Sequence, residues 1–173
     1  MDVLAHPNPA LKQRAEEVDP ASDSTLRSLA VAMAKAMYGA PGIGLAATQV
    51  GVLKRVVVYD MDEDGQGLVV LCNPRIVSYG EETVVDEEGC LSFPGIAVPV
   101  ERAESVVCEA QSLNGKTVTF DASGLHARLI QHEIDHLDGV LIIDRATPEE
   151  RRAAMRRYRE ALERGAVPGQ TSI

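Results

Sequence analysis

Apolar positions along the chain fall into three textures. Leu26, Leu29, Met33 and Met37 recur at helical spacing, behind Ser22 and Asp23 as candidate N-caps and ahead of Gly39, which predicts a helix over residues 23–38. From Leu53 to about Phe120 the chain turns to short β-branched runs: RVVVYD, GLVVL, RIVSY, ETVVD, IAVPV, ESVVCEA and KTVTF. These are punctuated by DEDGQG, NP, YG and Asn114-Gly115, the preferred pair of a two-residue hairpin turn, so this third reads as antiparallel sheet. Helical spacing returns in GLHARLIQHEIDHLDG, with Asp121 or Ser123 as cap and Gly139 as stop. A strand, VLIID, should follow. Thr147, Pro148 and Glu150 then combine a capping box with proline at the first helical position, opening a last helix that runs to about Arg164.

Between the first helix and the sheet lies GAPGIGLAATQVG, too rich in glycine to extend the helix and too apolar for a plain surface loop. That combination suggests backbone lining a site. At 173 residues, with no repeat and no long linker, the chain fits a single domain over residues 1–165, with 166–173 as a fraying tail. Its 45% hydrophobic and 25% charged residues and its formal charge of −9 describe an acidic globular protein, favour a basic or small neutral partner, and point away from DNA. Cys72, Cys90 and Cys108 are widely spaced and odd in number, so the thiols should stay reduced, as in a cytoplasm. The opening MDVLAHPNPALKQ lacks a basic and apolar leader, and no run reaches the roughly 18 apolar residues of a membrane span.

The chemistry concentrates in the second long helix. His132, Glu133 and His136 spell HExxH, which sets two imidazoles one helical turn apart with a carboxylate on the flank. Leu125, Leu129, His132 and His136 fall within about 60° of one another on a helical wheel, so the imidazoles continue the stripe that should face inward. Buried histidines need partners, and a metal ion supplies one.

A hydrolytic site of this kind needs a third protein ligand and an open position. Downstream of His136 there is no histidine and no HxxGxxH pattern; Glu149 and Glu150 are the nearest candidates, but the first turn of the last helix claims them. Upstream, EEGCLS offers Cys90, a thiolate suited to zinc or ferrous iron, beside a glycine that permits close approach. Cys72 and Cys108 sit inside strand-like runs and read as small core residues.

GIGLAATQ at 42–49, EGCLS at 88–92 and QHEIDHLDG at 131–139 together resemble the three signature motifs of bacterial peptide deformylases, and the resemblance covers nearly the whole chain. It implies an α+β fold in which antiparallel sheets pack around a central metal-bearing helix, with an N-terminal and a C-terminal helix. It implies hydrolysis of the formyl group from N-formylmethionine on nascent polypeptides, with release of formate. It implies one Fe²⁺ per chain on Cys90, His132 and His136, with Zn²⁺, Ni²⁺ or Co²⁺ as substitutes. An ion there would bring the pKa of a water towards neutrality, with Glu133 moving protons. By the same resemblance, the Gln49 amide and the Leu91 N–H would donate to the developing oxyanion. Gly42 and Gly44 would let main chain approach the substrate, Gly44 bonding it as an added strand would. Ile43, Leu125 and Leu129 are candidates for the methionine pocket, and Glu88, Arg102, Gln131 and Asp135 for groups that orient the ligands. Ala97 departs from the larger or basic residue of some relatives, which leaves preferences beyond methionine open.

The last helix carries Arg151, Arg152, Arg156, Arg157, Arg159 and Arg164, with Met155, Tyr158 and Leu162 as its apolar edge. A solvated helix packed by that edge is the ordinary reading; the resemblance adds docking on the ribosome, where arginine would meet RNA phosphate. Two rivals remain: a small HExxH endopeptidase whose third ligand lies downstream, and a noncatalytic metal-binding or ribosome-associated module.

Overall fold

Among residues 1–169, which the computed structural model describes, the strands form two antiparallel sheets. The larger comprises β1 (Gly44–Ala46), β2 (Val56–Tyr59), β3 (Val69–Tyr79), β6 (Ser105–Gln111) and β7 (Thr117–Ser123), in the order β1-β2-β3-β6-β7. The smaller pairs β4 (Thr83–Gly89) with β5 (Ala97–Ala103), from Thr83 opposite Ala103 to Gly89 opposite Ala97. The helices are α1 (Leu26–Gly39), α2 (Gly124–Leu137), a single turn α3 (Ile142–Arg145) and α4 (Pro148–Glu163). No helix among the described residues is long and apolar enough to cross a membrane. Residues 170–173, half of the tail expected to fray, lie outside the described residues.

The run VVVY in β2 shows no polar alternation because both of its faces are covered. Val56 and Val58 pack with Leu26, Ala30, Met33 and Met37 of α1, whereas Val57 and Tyr59 pack with Ala127, Leu129 and Ile130 of α2. The helical stripe that the sequence shows in α1 is thus the stripe that it buries; each such side chain contributes about 1.5–3 kcal/mol. A third apolar cluster joins Phe93, Ile96, Val98 and Val100 to α3 and α4. It backs the segment that carries Cys90.

Four expectations need correction. Helix α1 starts at Leu26, not at residue 23: Asp23 caps the turn that precedes it, its carboxylate accepting from the Thr25 N–H and hydroxyl and pairing with Lys54 at 2.5 Å. The NP pair does not end a strand. Asn73 takes φ 50°, its amide ties Val18 to Gln111, and β3 continues past the irregularity as one strand. The hairpin at Asn114-Gly115 has a three-residue loop: Ser112 pairs with Lys116, and Gly115 at φ 82° supplies the left-handed residue. Finally, VLIID is no strand. Asp144 accepts from the Leu141 N–H, and Leu141, Ile142 and Ile143 are buried as the turn α3 rather than paired along a sheet edge.

Candidate metal centre

Helix α2 projects His132 and His136 from adjacent turns, and Cys90 follows directly on the end of β4. One ligand atom from each of the three lies within 4.8 Å of the others. His136 Nε2 is 3.2 Å from His132 Nε2 and 3.3 Å from Cys90 Sγ. Tetrahedral ligands of a zinc-sized ion stand about 3.3–3.6 Å apart, so the spacing matches a shared cation. The chemistry agrees: two ring nitrogens and a sulfur converge in a buried space, where their lone pairs repel unless a positive charge sits between them.

Glu88 anchors the arrangement from behind. Fully buried, it accepts His132 Nδ1 at 2.9 Å, which turns Nε2 towards the cluster. Arg102 meets both Glu88 oxygens, at 2.8 and 3.0 Å, and reaches Asp135 at 2.6 Å. Arg128 adds a contact to Glu88 at 2.9 Å, and Arg145 grips both Asp135 oxygens. Burial alone would push the Glu88 carboxyl up, but His132 and Arg102 outweigh it and hold the group well below the usual carboxylate range. Burial likewise works against a charged His132, yet contact with Cys90 and Glu88 raises it to about 10. His136 is driven well below its ordinary value by burial and by His132 beside it. Glu133, with Oε2 buried and without a hydrogen-bond partner among the described residues, is pushed up to about 7 by desolvation. Such a carboxylate can exchange protons near neutral pH.

Known proteins share both the sequence and this architecture. The family model for polypeptide deformylase matches residues 1–152. The chain belongs to the polypeptide deformylase family. Among relatives, the peptide deformylase of Thermodesulfovibrio yellowstonii is 42% identical over 161 residues, covering 92% of this chain and 96% of that protein. That of Alkalilimnicola ehrlichii is 43% identical over 174 residues, covering 99% and 97%. The crystal structure of a peptide deformylase from Legionella pneumophila superposes with a TM-score of 0.87 at 38% identity, covering 93% of this chain and 94% of that one. The chain is accordingly a metal-dependent hydrolase that removes the N-formyl group from nascent polypeptides.

Of the remaining deformylase candidates, Gln49 lies against Cys90 and Gly44 against Glu133. Gln49 lies in a 3₁₀ turn, Ala47–Val50, just after β1; its Oε1 accepts from the Ala46 N–H at 2.9 Å and its Nε2 faces Ser92 and Cys90. Gly44 stands against the metal helix: a Cβ there would come within 2.6 Å of both Glu133 Oε1 and Leu129 Cδ1. At Gly42 a Cβ would meet the Leu91 side chain at 2.7 Å. Leu129 is wholly buried and Ile43 packs on its cluster, whereas Leu125, on the first turn of α2, is 52% exposed. The inward stripe therefore opens to solvent at that end.

Gln131 does not join the ligand-orienting group. It clamps α2 to β5 by bonds to both the N–H and the carbonyl of Ala103. Sequence reasoning missed Arg128, Arg145, Ser92 and Thr48, whose hydroxyl donates to the His136 carbonyl at 3.1 Å. A signal existed for Arg128: it lies about 40° from His132 on the helical wheel, flanking the apolar stripe, where a buried charge demands a partner.

Proposed function

We propose that Cys90, His132 and His136 hold one Fe²⁺ per chain, with Zn²⁺, Ni²⁺ or Co²⁺ as working substitutes. The observation that carries this reading is the convergence of one sulfur and two ring nitrogens within 4.8 Å, drawn from a strand end and a helix far apart in sequence. A thiolate with two imidazoles suits either iron or zinc. When bound, the ion supplies Lewis acidity that makes a water nucleophilic near neutral pH.

The chain's own groups do the rest. Glu133 takes the proton from the attacking water and delivers it to the leaving amine, and its raised pKa supports both directions of transfer. Gln49 Nε2 and the Leu91 N–H stabilise the oxygen that gains charge; a single such donor is typically worth about 10²- to 10³-fold in rate. β1 is an edge strand, which supports Gly44 bonding the formyl-Met peptide by strand addition. Ile43, Leu125 and Leu129 take the methionine side chain, the exposed Leu125 at the mouth and the buried Leu129 deeper in.

Residues 1–165 act as one cytoplasmic catalytic unit, on nascent chains at the ribosome. All six arginines of the α4 region are exposed, and Tyr158 packs inward with Met155 partly covered, which leaves a basic face for RNA phosphate. Glutamate at Arg152, Arg156 and Arg159 should abolish co-sedimentation with ribosomes at low salt; unchanged co-sedimentation removes this part of the proposal. The central test is formate release from formyl-Met-Ala-Ser by anaerobically purified protein, with elemental analysis, with and without a hydroxamate chelator. Protein that holds no transition metal, or that cleaves a blocked internal peptide instead, refutes the assignment.

A further inference from the structure

Gln49 has an amide with two donors, and its use as an oxyanion donor requires that one of them point at the reacting carbonyl. Its Oε1 end is fixed by the Ala46 N–H. At the other end, Nε2 donates to Ser92 Oγ at 3.2 Å and to Cys90 Sγ at 3.7 Å. Both Gln49 and Ser92 are buried, so water does not compete for these bonds.

Ser92 is itself held without its hydroxyl. Its N–H approaches Cys90 Sγ at 3.4 Å, and its carbonyl accepts from the His6 N–H at 2.9 Å. His6 stacks on Phe93, with ring centroids 4.9 Å apart, and the Tyr158 hydroxyl donates to the His6 carbonyl at 2.7 Å. The segment after Cys90 is therefore pinned by main-chain bonds and ring packing, and among the described residues the hydroxyl has its hydrogen-bond partner in Gln49.

We infer that the Ser92 hydroxyl is a positioning group for the deformylation step: it occupies one Gln49 amide hydrogen and so keeps the other on the side of Cys90 Sγ and the metal centre, where the oxygen that gains charge would form. The inference rests on the reading of Gln49 as an oxyanion donor. Without the hydroxyl, Nε2 keeps only the long contact to the Cys90 sulfur, and the amide is free to swing about it. A misplacement of about 1 Å in such a group costs on the order of 10²-fold in rate, and a partial loss of aim correspondingly less.

The test is a double-mutant cycle on the metal-loaded full-length enzyme, with formyl-Met-Ala-Ser as substrate. Gln49→Ala alone should lower kcat about 10²- to 10³-fold; a full rate in that variant overturns the reading of Gln49, whatever Ser92 does. Ser92→Ala should lower kcat about tenfold, keep KM within about twofold and retain one ion per chain, and Ser92→Thr, which restores the hydroxyl, should recover most of the rate. In the Gln49→Ala background, Ser92→Ala should cost nothing further. The inference is overturned if Gln49→Ala is impaired while Ser92→Ala keeps its kcat, or if the two losses multiply. A Ser92→Ala protein that does not fold or sheds its ion makes the hydroxyl structural and overturns it as well.

Discussion

Replacing Gly44 with alanine adds one methyl group at the point where strand β1 touches the metal helix. The new Cβ would lie 2.6 Å from Glu133 Oε1, 2.6 Å from Leu129 Cδ1 and 3.1 Å from Glu133 Cδ. Carbon atoms sit comfortably at about 3.5–4.0 Å, so the leucine methyl must retreat by roughly 1 Å and the carboxylate by somewhat less. Neither has slack: Leu129 and Glu133 are both buried, and Leu129 belongs to the cluster beneath the large sheet. Overpacking of this kind costs about 1–3 kcal/mol, which for a chain of this size lowers Tm by about 2–4 °C per kcal/mol. Catalysis should suffer more, because Glu133 is the displaced group and a shift near 1 Å costs on the order of 10²-fold in kcat. Formate release under saturating formyl-Met-Ala-Ser measures the first effect, and thermal unfolding the second. A Gly44→Ala enzyme with kcat within threefold of the parent would show that the Glu133 carboxylate has freedom that the packing denies it. Gly42→Ala gives the contrast. Its Cβ meets only the branched end of Leu91 and leaves Glu133 where it is, so its loss of kcat should be clearly smaller.

Cys90→Ala should no longer retain a transition metal through dialysis against a chelator, whereas Glu133→Gln should keep the metal and lose about 10²- to 10⁴-fold in kcat; elemental analysis paired with formate assays separates the two, and a metal-retaining Cys90→Ala protein contradicts the ligand set. Arg102→Met strips Glu88 of two contacts and Asp135 of one, and with Arg128, His132 and Arg145 remaining it should destabilise by the low end of about 3–5 kcal/mol; urea unfolding that shows under about 1 kcal/mol refutes a structural role for this guanidinium. Glu88, whose carboxyl is held below its unfolded value near 4.3, stabilises the fold fully above that pH and progressively less as the pH falls towards its folded value. On metal-free protein, the stability gap between the parent and Glu88→Gln should therefore narrow as the pH drops from about 6 to about 3; a gap that widens in acid reverses the sign and refutes the assignment.

The sequence carried some parts of this site openly and hid others, and the division follows the range of each interaction. HExxH is legible because helical periodicity alone brings positions 132 and 136 together, and Gly44 is legible because a side chain there would collide with Glu133 and Leu129. Cys90 is harder. Its place beside the helix depends on how β4 pairs with β5 and packs on the third apolar cluster, a long-range outcome that motif resemblance conveyed and spacing did not. Local signals also misled where tertiary packing overrode them, as when the β-branched VLIID became a turn whose Leu141, Ile142 and Ile143 are buried in the third apolar cluster.

The ion network behind the ligands is the instructive case. Glu88 stands 40 residues from Arg128, 14 from Arg102 and 44 from His132, so no window of sequence contains it. What the sequence does contain is the set of local tensions that the network resolves: an arginine flanking the apolar stripe of α2, and a glutamate two residues before a metal-binding thiol. Each is costly if buried alone, because an unpaired charge in a low-dielectric interior is worth several kcal/mol. Charges of opposite sign that both appear at inward positions must find each other, and in a chain with one buried metal helix the back of that helix is where they can meet. Burial periodicity, applied to charged residues as strictly as to leucines, therefore locates the supports of a metal site as well as its ligands.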